Sequence, residues 1–301
     1  MDLWQDPVTY AIPVFVLTLA AEALIGYYSK RSLYNYPEAL ASIAMGIGVA
    51  IIGAGVKAVA LVGFYGLYQY APESWAGWLG FGNPWAWVLC LLADDFSFYW
   101  HHRLSHSVRI LWAAHENHHS ARSLNLAVAL RQSWTEVFYK FFFWAWMPLL
   151  GFHPLMILMM MSISLIYQYF QHTELIGKLG PLEWILNTPS HHRVHHATNV
   201  RYLDRNHAGM LIIWDRLFGT FVAEDPAEKP VYGIRKDFHS NNPLRIATHE
   251  FVDIWRDVRR AKGLRNKLGY IFGPPGWQPG DSSQTTRALQ RRQHLQEPLS
   301  G

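Results

Sequence analysis

Cysteine is nearly absent: Cys90 is the single one in 301 residues, and it sits inside an apolar run. A disulfide framework and a cysteine-based zinc or iron–sulfur site are both excluded. Charge is missing over long stretches. Between Ala39 and Leu92 the only charged residues are Lys57 and Glu73, and from Val137 to Gln171 the only one is Lys140. Runs of that length suit a bilayer, whose core of about 30 Å takes about 20 helical residues. A mean hydropathy of zero hides them, because a polar, histidine-rich half offsets an apolar one. No G-x-S-x-G, Ser/His/Asp arrangement, G-x-G-x-x-G or P-loop occurs, which removes nucleophilic hydrolysis and nucleotide binding from consideration. Met1 to Asp6 carries Asp2 and Asp6 but no Lys or Arg. It lacks the basic region of a secretory signal, so the first apolar run is expected to be a retained anchor.

The charge-poor runs predict an all-α, multi-span helical membrane protein. A first span is expected at Tyr10–Tyr28 and a second at Ala39–Tyr70. As one helix the second would be about 48 Å long, so it must tilt, break or protrude. Its small residues four apart, such as Ala44 and Gly48, favour close helix packing. A Gly/Pro-marked loop, Ala71 to Pro84, leads to a third span, Trp85 to Trp100. An amphipathic stretch from Leu124 to Glu136 precedes an apolar run, Phe141 to Gln171. Gly151 to Pro154 interrupts that run, predicting a hairpin of two short spans. The tail from Pro274 is rich in Pro, Gln and Arg and reads as disordered. The expected divisions are 1–84 for N-terminal transmembrane helices, 85–251 for the catalytic region, and 252–301 for a basic helix and tail.

What the chain has in excess is histidine. Twelve of its 16 histidines fall between His101 and His196. Residues four apart share a helix face, so His102 with His106 can bind one ion. His115 with His118 and His119, and His192 with His195 and His196, are each expected to do the same. With His172 these are nine candidate ligands, enough to surround two metal ions in a histidine-rich helical cap. His101 and His191 adjoin clusters but face elsewhere or compete for the same face. His153 lies in the hairpin turn, at the other end of the spans. His207, His239, His249 and His294 carry no ligand spacing. Lys30 and Arg31 follow the first span, which places the N-terminus outside and, by counting spans, every histidine cluster on the cytoplasmic side. The basic run Arg256 to Lys267 suits the same face and its anionic lipid. No nucleic-acid motif accompanies it, so nucleic acid is not an expected partner.

Imidazole-rich sites at the ends of membrane helices suit iron or copper and O2 chemistry on an alkyl chain. Zinc binds the same imidazoles and can replace iron on purification. One competitor is the zinc-protease pattern His115-Glu116-x-x-His119, with Glu116 as general base; the extra candidate ligands around it have no use in a protease. A metal transporter or non-catalytic metal binder is another; it would place its ionisable groups near the midplane along a pathway. Acidic residues near the clusters can orient the metal-bound rings. Asp94 and Asp95 fall in the third span, and Asp95 is expected to support a histidine of another cluster. Glu174, Asp204 and Asp215 are candidates for the same role. Glu22, in the first span, fits either a packing hydrogen bond or a substrate contact.

Three segments carry a family resemblance: D95-F-S-F-Y-W-H-H102-R-x-x-H106, H115-x-x-H118-H119 and T188-P-S-H-H-R-V-H195-H196. They resemble the fatty acid hydroxylase/sterol desaturase superfamily of membrane diiron oxygenases. Asn125 to Ser133, Gln171 to Glu174, Leu179 to Ser190 and Trp214 to Phe221 resemble its branch that cleaves alkylglycerol ethers. The resemblance runs from about Trp85 to Phe251. It implies two iron ions, O2, a lipid substrate in the membrane, and an external electron donor, tetrahydrobiopterin in the ether-lipid branch. It implies hydroxylation of a lipid chain; beside an ether oxygen the product is a hemiacetal, which collapses to an aldehyde and glycerol. Sterol or fatty-acyl desaturation or hydroxylation is the alternative within the superfamily. Some relatives carry histidine where this chain has Gln168, which makes Gln168 a near-metal candidate. Close relatives carry an aromatic residue at His207.

Overall fold

The computed structural model describes residues 6–296, and among these the chain is almost wholly helical, with three isolated β-bridges and no strand. Helix α1 (Pro7–Tyr28) opens where the Asp6 carboxylate accepts the Val8 N–H and Pro7 takes the first turn, a proline position that wastes no hydrogen bond. Asp2, which precedes the first apolar run, lies outside the described residues. Helix α2 (Tyr36–Tyr68) opens likewise on Asn35 and Pro37 and runs 33 residues without a break. At 1.5 Å per residue it is about 50 Å long, so the second apolar run does not break and must tilt or protrude.

Both helices are long and apolar enough to cross a membrane, and only 11% and 17% of their apolar windows are buried inside the protein. A core helix of a soluble domain would be mostly covered. Leu17, Tyr27, Ile51 and Val62 stand more than 60% exposed on them, a surface that suits lipid rather than water.

After the short α3 (Glu73–Trp78), helix α4 (Pro84–Ser107) continues past the expected end at Trp100 and carries His101, His102 and His106 on its last turns. A break at Val108 separates it from α5 (Arg109–His119). The stretch expected to be amphipathic, Leu124 to Glu136, is instead loop and single 3-10 turns, continuing to Trp144. The hairpin also differs. Its first arm is 3-10 turns followed by the five-residue α6 (Trp146–Leu150), and only its second arm, α7 (Pro154–Tyr169), is a regular helix. The cause is side-chain anchoring: the Trp144 indole donates to Asp94 and that of Trp146 to Ser97, fastening the arm across α4. Gly151 turns the chain at φ 108°, where a Cβ would lie 2.8 Å from the Ala76 nitrogen.

Five helices complete the chain: α8 (Pro189–His195), α9 (Ile213–Leu217), α10 (Pro243–Arg260), α11 (Leu264–Phe272) and α12 (Thr286–Gln296). The tail expected to be disordered from Pro274 therefore holds a helix. Leu289 of α12 is buried, and Gln290 donates to the carbonyls of Val200 and Leu203.

The main apolar core gathers Ala86, Cys90 and Ala93 of α4, Met147 of α6, Met156 and Ile157 of α7, and Phe64 of α2. A second joins Ala41 and Met45 of α2 to Ile246 and Ala247 of α10. Here α2 comes close to the 130–134 loop. A Cβ on Gly48 would stand 2.4 Å from the Trp134 ring nitrogen, and that nitrogen donates to the Met45 carbonyl at 3.0 Å. Gly48→Ala must displace the indole and strain or break this bond. The expected loss is about 1–3 kcal/mol, read as a lower unfolding midpoint; an unchanged midpoint would refute the close approach.

Candidate metal centre

Nine buried histidines converge in two groups. The first holds His102, His106, His115, His119 and His195, the second His118, His172, His192 and His196, and within each group the ligand atoms lie within 4.8 Å of one another. Helix α4 supplies two histidines to the first group, and His172 comes from the turn just after α7. Helices α5 and α8 serve both groups. His115 and His119 of α5 turn to the first group and His118 to the second; His192 and His196 turn to the second and His195 to the first.

The expectation that each cluster holds one ion is therefore corrected. Residue i+4 lies about 40° round a helix from residue i and i+3 about 60° the other way. A triad at i, i+3, i+4 thus looks in two directions.

The spacing within the groups is informative. In the first, the Nε2 atoms of His102 and His115 stand 2.9 Å apart, those of His115 and His119 3.2 Å, and those of His119 and His195 3.1 Å. In the second, His118–His172, His172–His192 and His192–His196 stand at 3.0, 2.9 and 3.0 Å. For metal–nitrogen bonds of about 2.1 Å, ligands at right angles are about 3.0 Å apart and tetrahedral ones about 3.4 Å. The spacings are those of neighbouring ligands that could share one ion.

Several rings are oriented from behind. The second nitrogen, Nδ1, lies 2.8 Å from the His207 carbonyl in His102, 2.8 Å from the Gln168 carbonyl in His172, and 2.9 Å from the Arg205 carbonyl in His195. A carbonyl can only accept, so each Nδ1 carries the proton and each Nε2 presents its lone pair inward. His106 Nδ1 meets Asp204 at 3.2 Å, while its buried Nε2 has no hydrogen-bond partner. Such an orphaned lone pair fits a metal ligand. Burial first, and then the neighbouring imidazoles, push the pKa values of His118, His119, His192, His195 and His196 well below the usual histidine range. The rings are thereby held neutral, the form that binds a metal.

The other candidates take distinct places. Asp95 touches no histidine. Its carboxylate accepts the N–H groups of Met210 and Leu211 at 2.6 and 2.9 Å and the Trp214 indole at 3.0 Å. It secures the 207–214 loop, and acts on His102 only through the His207 carbonyl that this loop positions. Asp215 works on the same loop, accepting the N–H groups of His207 and Ala208. Gln168 contributes its carbonyl to His172, while its side chain donates to Ser164. Glu174 is exposed and lies towards Tyr232 and Arg193 rather than the histidines.

His101 faces Glu136 and the Phe143 ring, and His191 faces Glu183 and Phe221. His207 packs 5.0 Å from the His106 ring, outside both groups. His153 caps α7 and packs on Phe81 at the opposite end of that helix from His172.

Three acidic positions escaped sequence reasoning or were left open by it. Glu136 lies 3.7 Å from His115 Nδ1 and 3.9 Å from His101 Nε2. Burial alone would raise its pKa, but the His115 and His101 rings and Lys140 hold it down to about 2. Its place at the end of the stretch read as amphipathic gave no signal. Glu38 accepts the Arg122 N–H and the Ser123 hydroxyl. Glu22, buried in α1, accepts the Leu126 N–H at 2.8 Å and the hydroxyls of Tyr34 and Thr173, the last residue adjoining His172.

A narrow cavity of ≈130 Å3 reaches the centre from among α1, α4 and α7. Phe15, Phe98, Met161 and Leu165 line it, and His102, His115, His118, His172 and His192 border its inner end.

Residues 87–220 match the family model described as fatty acid hydroxylase. The alkylglycerol monooxygenases of Xenopus tropicalis and Homo sapiens are each 38% identical to the chain over 278 residues, covering 91% of this chain and 60% and 61% of theirs. An ornithine lipid hydroxylase of Rhizobium tropici is 32% identical over 191 residues, 63% of this chain and 51% of its own. The chain thus spans about three fifths of the length of the first two relatives. No solved structure matches it.

Proposed function

We propose that this chain, which carries a fatty acid hydroxylase domain at residues 87–220, is a membrane-bound non-haem diiron oxygenase that hydroxylates a lipid alkyl chain. The observation that carries this reading is the convergence of nine buried imidazoles, without one carboxylate, into two groups at the end of a largely apolar cavity. Imidazole-rich sites suit iron, which these residues would hold with positions left for a reactant. The two irons supply the activation of O2 that an unactivated C–H bond demands. The protein's share is placement. Phe98, Met161 and Leu165 exclude water and hold the chain, and the carbonyls of His207, Gln168 and Arg205 fix which nitrogen of three ligands faces the metal. In this reading Lys30, Arg31 and the basic α10–α11 region face the cytoplasm, together with the centre.

The relatives named alkylglycerol monooxygenase favour an alkylglycerol ether as substrate. Hydroxylation of the carbon beside the ether oxygen gives a hemiacetal, which releases a fatty aldehyde and glycerol. The ornithine lipid hydroxylase supports a second reading, in which the product is a stable hydroxy lipid. A zinc protease built on His115, Glu116 and His119 is disfavoured. The Glu116 carboxylate lies 3.5 Å from His249 Nε2 and belongs to neither histidine group, so it is not placed to act as general base on an ion there.

The test is to incubate the iron-loaded full chain with a 1-O-alkylglycerol, a reductant and isotopically labelled O2, and to follow products by mass spectrometry. Labelled aldehyde with glycerol is expected. A labelled hydroxy lipid in its place moves the assignment to the second reading, and no O2-dependent lipid product refutes the oxygenase.

A further inference from the structure

Helices α4 and α7 start from one aromatic end of the molecule and stop short of the other. Trp85 at the start of α4 is exposed, as are Tyr70, Trp75 and Trp78 in the segment before it. His153, which caps α7, packs on Tyr65, Tyr68 and Phe81. Exposed tryptophan and tyrosine at the ends of apolar helices mark one rim of a bilayer. From that rim the 16 residues of α7 rise about 24 Å, against a core of about 30 Å. Tilt only shortens the reach. The chain after α7 therefore starts inside the far rim and completes the crossing without a helix. Helix α4 gives the same level independently. Trp85, Leu89, Phe96 and Trp100 fall on one of its faces, and Phe96 and Trp100 lie about 17 and 23 Å from Trp85 along the axis. There α9 covers them, with the Trp214 ring 5.2 Å from that of Phe96 and the Phe218 ring 5.1 Å from that of Trp100.

This level carries an apolar surface. Ile176, Leu179, Leu182, Trp184, Ile185 and Leu217 are between 41% and 70% exposed. The two segments that bear them are joined: the Ile212 N–H donates to the Ile185 carbonyl, and Arg216 donates to the Glu183 carbonyl. Backbone groups in the loop are paired, Leu186 N–H to the Leu182 carbonyl and Leu179 N–H to the Glu183 carboxylate, as a surface facing acyl chains requires. Cations stand over aromatic rings at its edge. The Arg216 guanidinium lies 5.2 Å from the Trp184 ring, that of Arg103 lies 5.4 Å from the Trp100 ring, and Lys178 is exposed. The acids turn elsewhere. Glu183 also accepts the hydroxyls of Thr188 and Ser190, Asp215 is buried, and Glu174 lies towards Tyr232 and Arg193.

We propose that residues 175–186 and α9 form a second, non-spanning membrane anchor, seated at the boundary of head groups and acyl chains in the leaflet beside the metal centre. The apolar side chains lie among the acyl chains, and Arg103, Lys178 and Arg216 extend to the phosphates of anionic lipids. The inference rests on the membrane-bound reading and goes beyond it. The long helices hold the chain in the bilayer, whereas this surface seats the histidine cap against it. His172 lies between α7 and the loop, so the anchor sets the depth of the second histidine group and closes the water gap that a lipid leaving the leaflet would otherwise cross.

The experiment uses the metal-loaded full chain in vesicles of phosphatidylcholine and phosphatidylglycerol. Cys90, the sole cysteine, is buried, so an introduced cysteine can be labelled selectively with an environment-sensitive fluorophore. Leu182→Cys and Leu217→Cys test the anchor, Ile51→Cys on the exposed face of α2 reports the bilayer, and Ser282→Cys reports water. Labels at 182 and 217 are expected to be quenched at least twofold more than that at 282 by lipids spin-labelled high on the acyl chain, and to be shielded from aqueous iodide. Lys178→Glu combined with Arg216→Glu is expected to lower the lipid quenching at 182 at least twofold. Quenching at 51 with iodide access at 182 and 217 would overturn the anchor alone, and quenching at neither 51 nor 182 would overturn the membrane reading with it. Cross-linking of Leu217→Cys chains to one another without lipid quenching would give the face to a second copy. Unchanged quenching in the double glutamate variant would overturn the phosphate contacts.

Discussion

His172→Ala is expected to empty the second metal group and to lower lipid turnover by about a hundredfold or more, since even residues that merely orient metal ligands cost ten- to a hundredfold. The group has four histidines, and His172 is central to it, with its Nε2 3.0 Å from that of His118 and 2.9 Å from that of His192. The first group shares no ligand with it and should keep its ion. Elemental analysis should therefore fall from two ions per chain to one, while the unfolding midpoint of the metal-free protein stays close to the parent. A protease centred on His115 and His119 would lose nothing. Full turnover with two ions retained would refute the division of the histidines.

The second large effect is expected at Asp95, and there it falls on stability. Its carboxylate, wholly buried in α4, takes three hydrogen bonds from the 210–214 segment, two of them from backbone N–H groups. Asp95→Ala leaves those donors unpaired, with Met210 buried and Leu211 and Trp214 half-buried. At about 1–3 kcal/mol for each stranded group, with the two half-buried donors at the low end, the loss is about 3–5 kcal/mol. The loop it releases also carries the His207 carbonyl that holds His102. Denaturant unfolding should show the lost stability, and metal titration a weaker first site with the second little changed. A stable Asp95→Ala protein with both sites intact would place the anchoring of the loop elsewhere.

The sequence showed which histidines come together more readily than how they divide. His102 with His106 needed only the four-residue spacing, because both lie on one helix, and they do share a group. The triads on α5 and α8 split because a helix that runs between two sites shows each a different side, and spacing along one helix does not reveal what stands on its two flanks. Asp95 was misjudged for a related reason. Its partners lie more than a hundred residues onward, in a loop with no periodicity to read. The apolar run after Lys140 had the composition of a span, yet two indoles tie it across α4 as short turns, and composition does not report where an indole N–H finds its acceptor. The tail from Pro274 shows the converse. Its polar make-up suggested disorder, but one buried leucine and a glutamine that bonds two carbonyls suffice to dock a helix.

Glu22 sets a condition on how the chain is made. It sits two thirds of the way along the first apolar helix, yet two of its partners, Leu126 and Thr173, are about a hundred and a hundred and fifty residues further on. During synthesis that helix enters the bilayer long before either partner exists. An acid inside a membrane helix costs about 2.5–3.5 kcal/mol on insertion. The nascent helix must meet that cost alone, resting against the insertion machinery or paired with Tyr34, until the His172 turn emerges. Completion of the fold then removes the burden, and the last stitch closes beside His172.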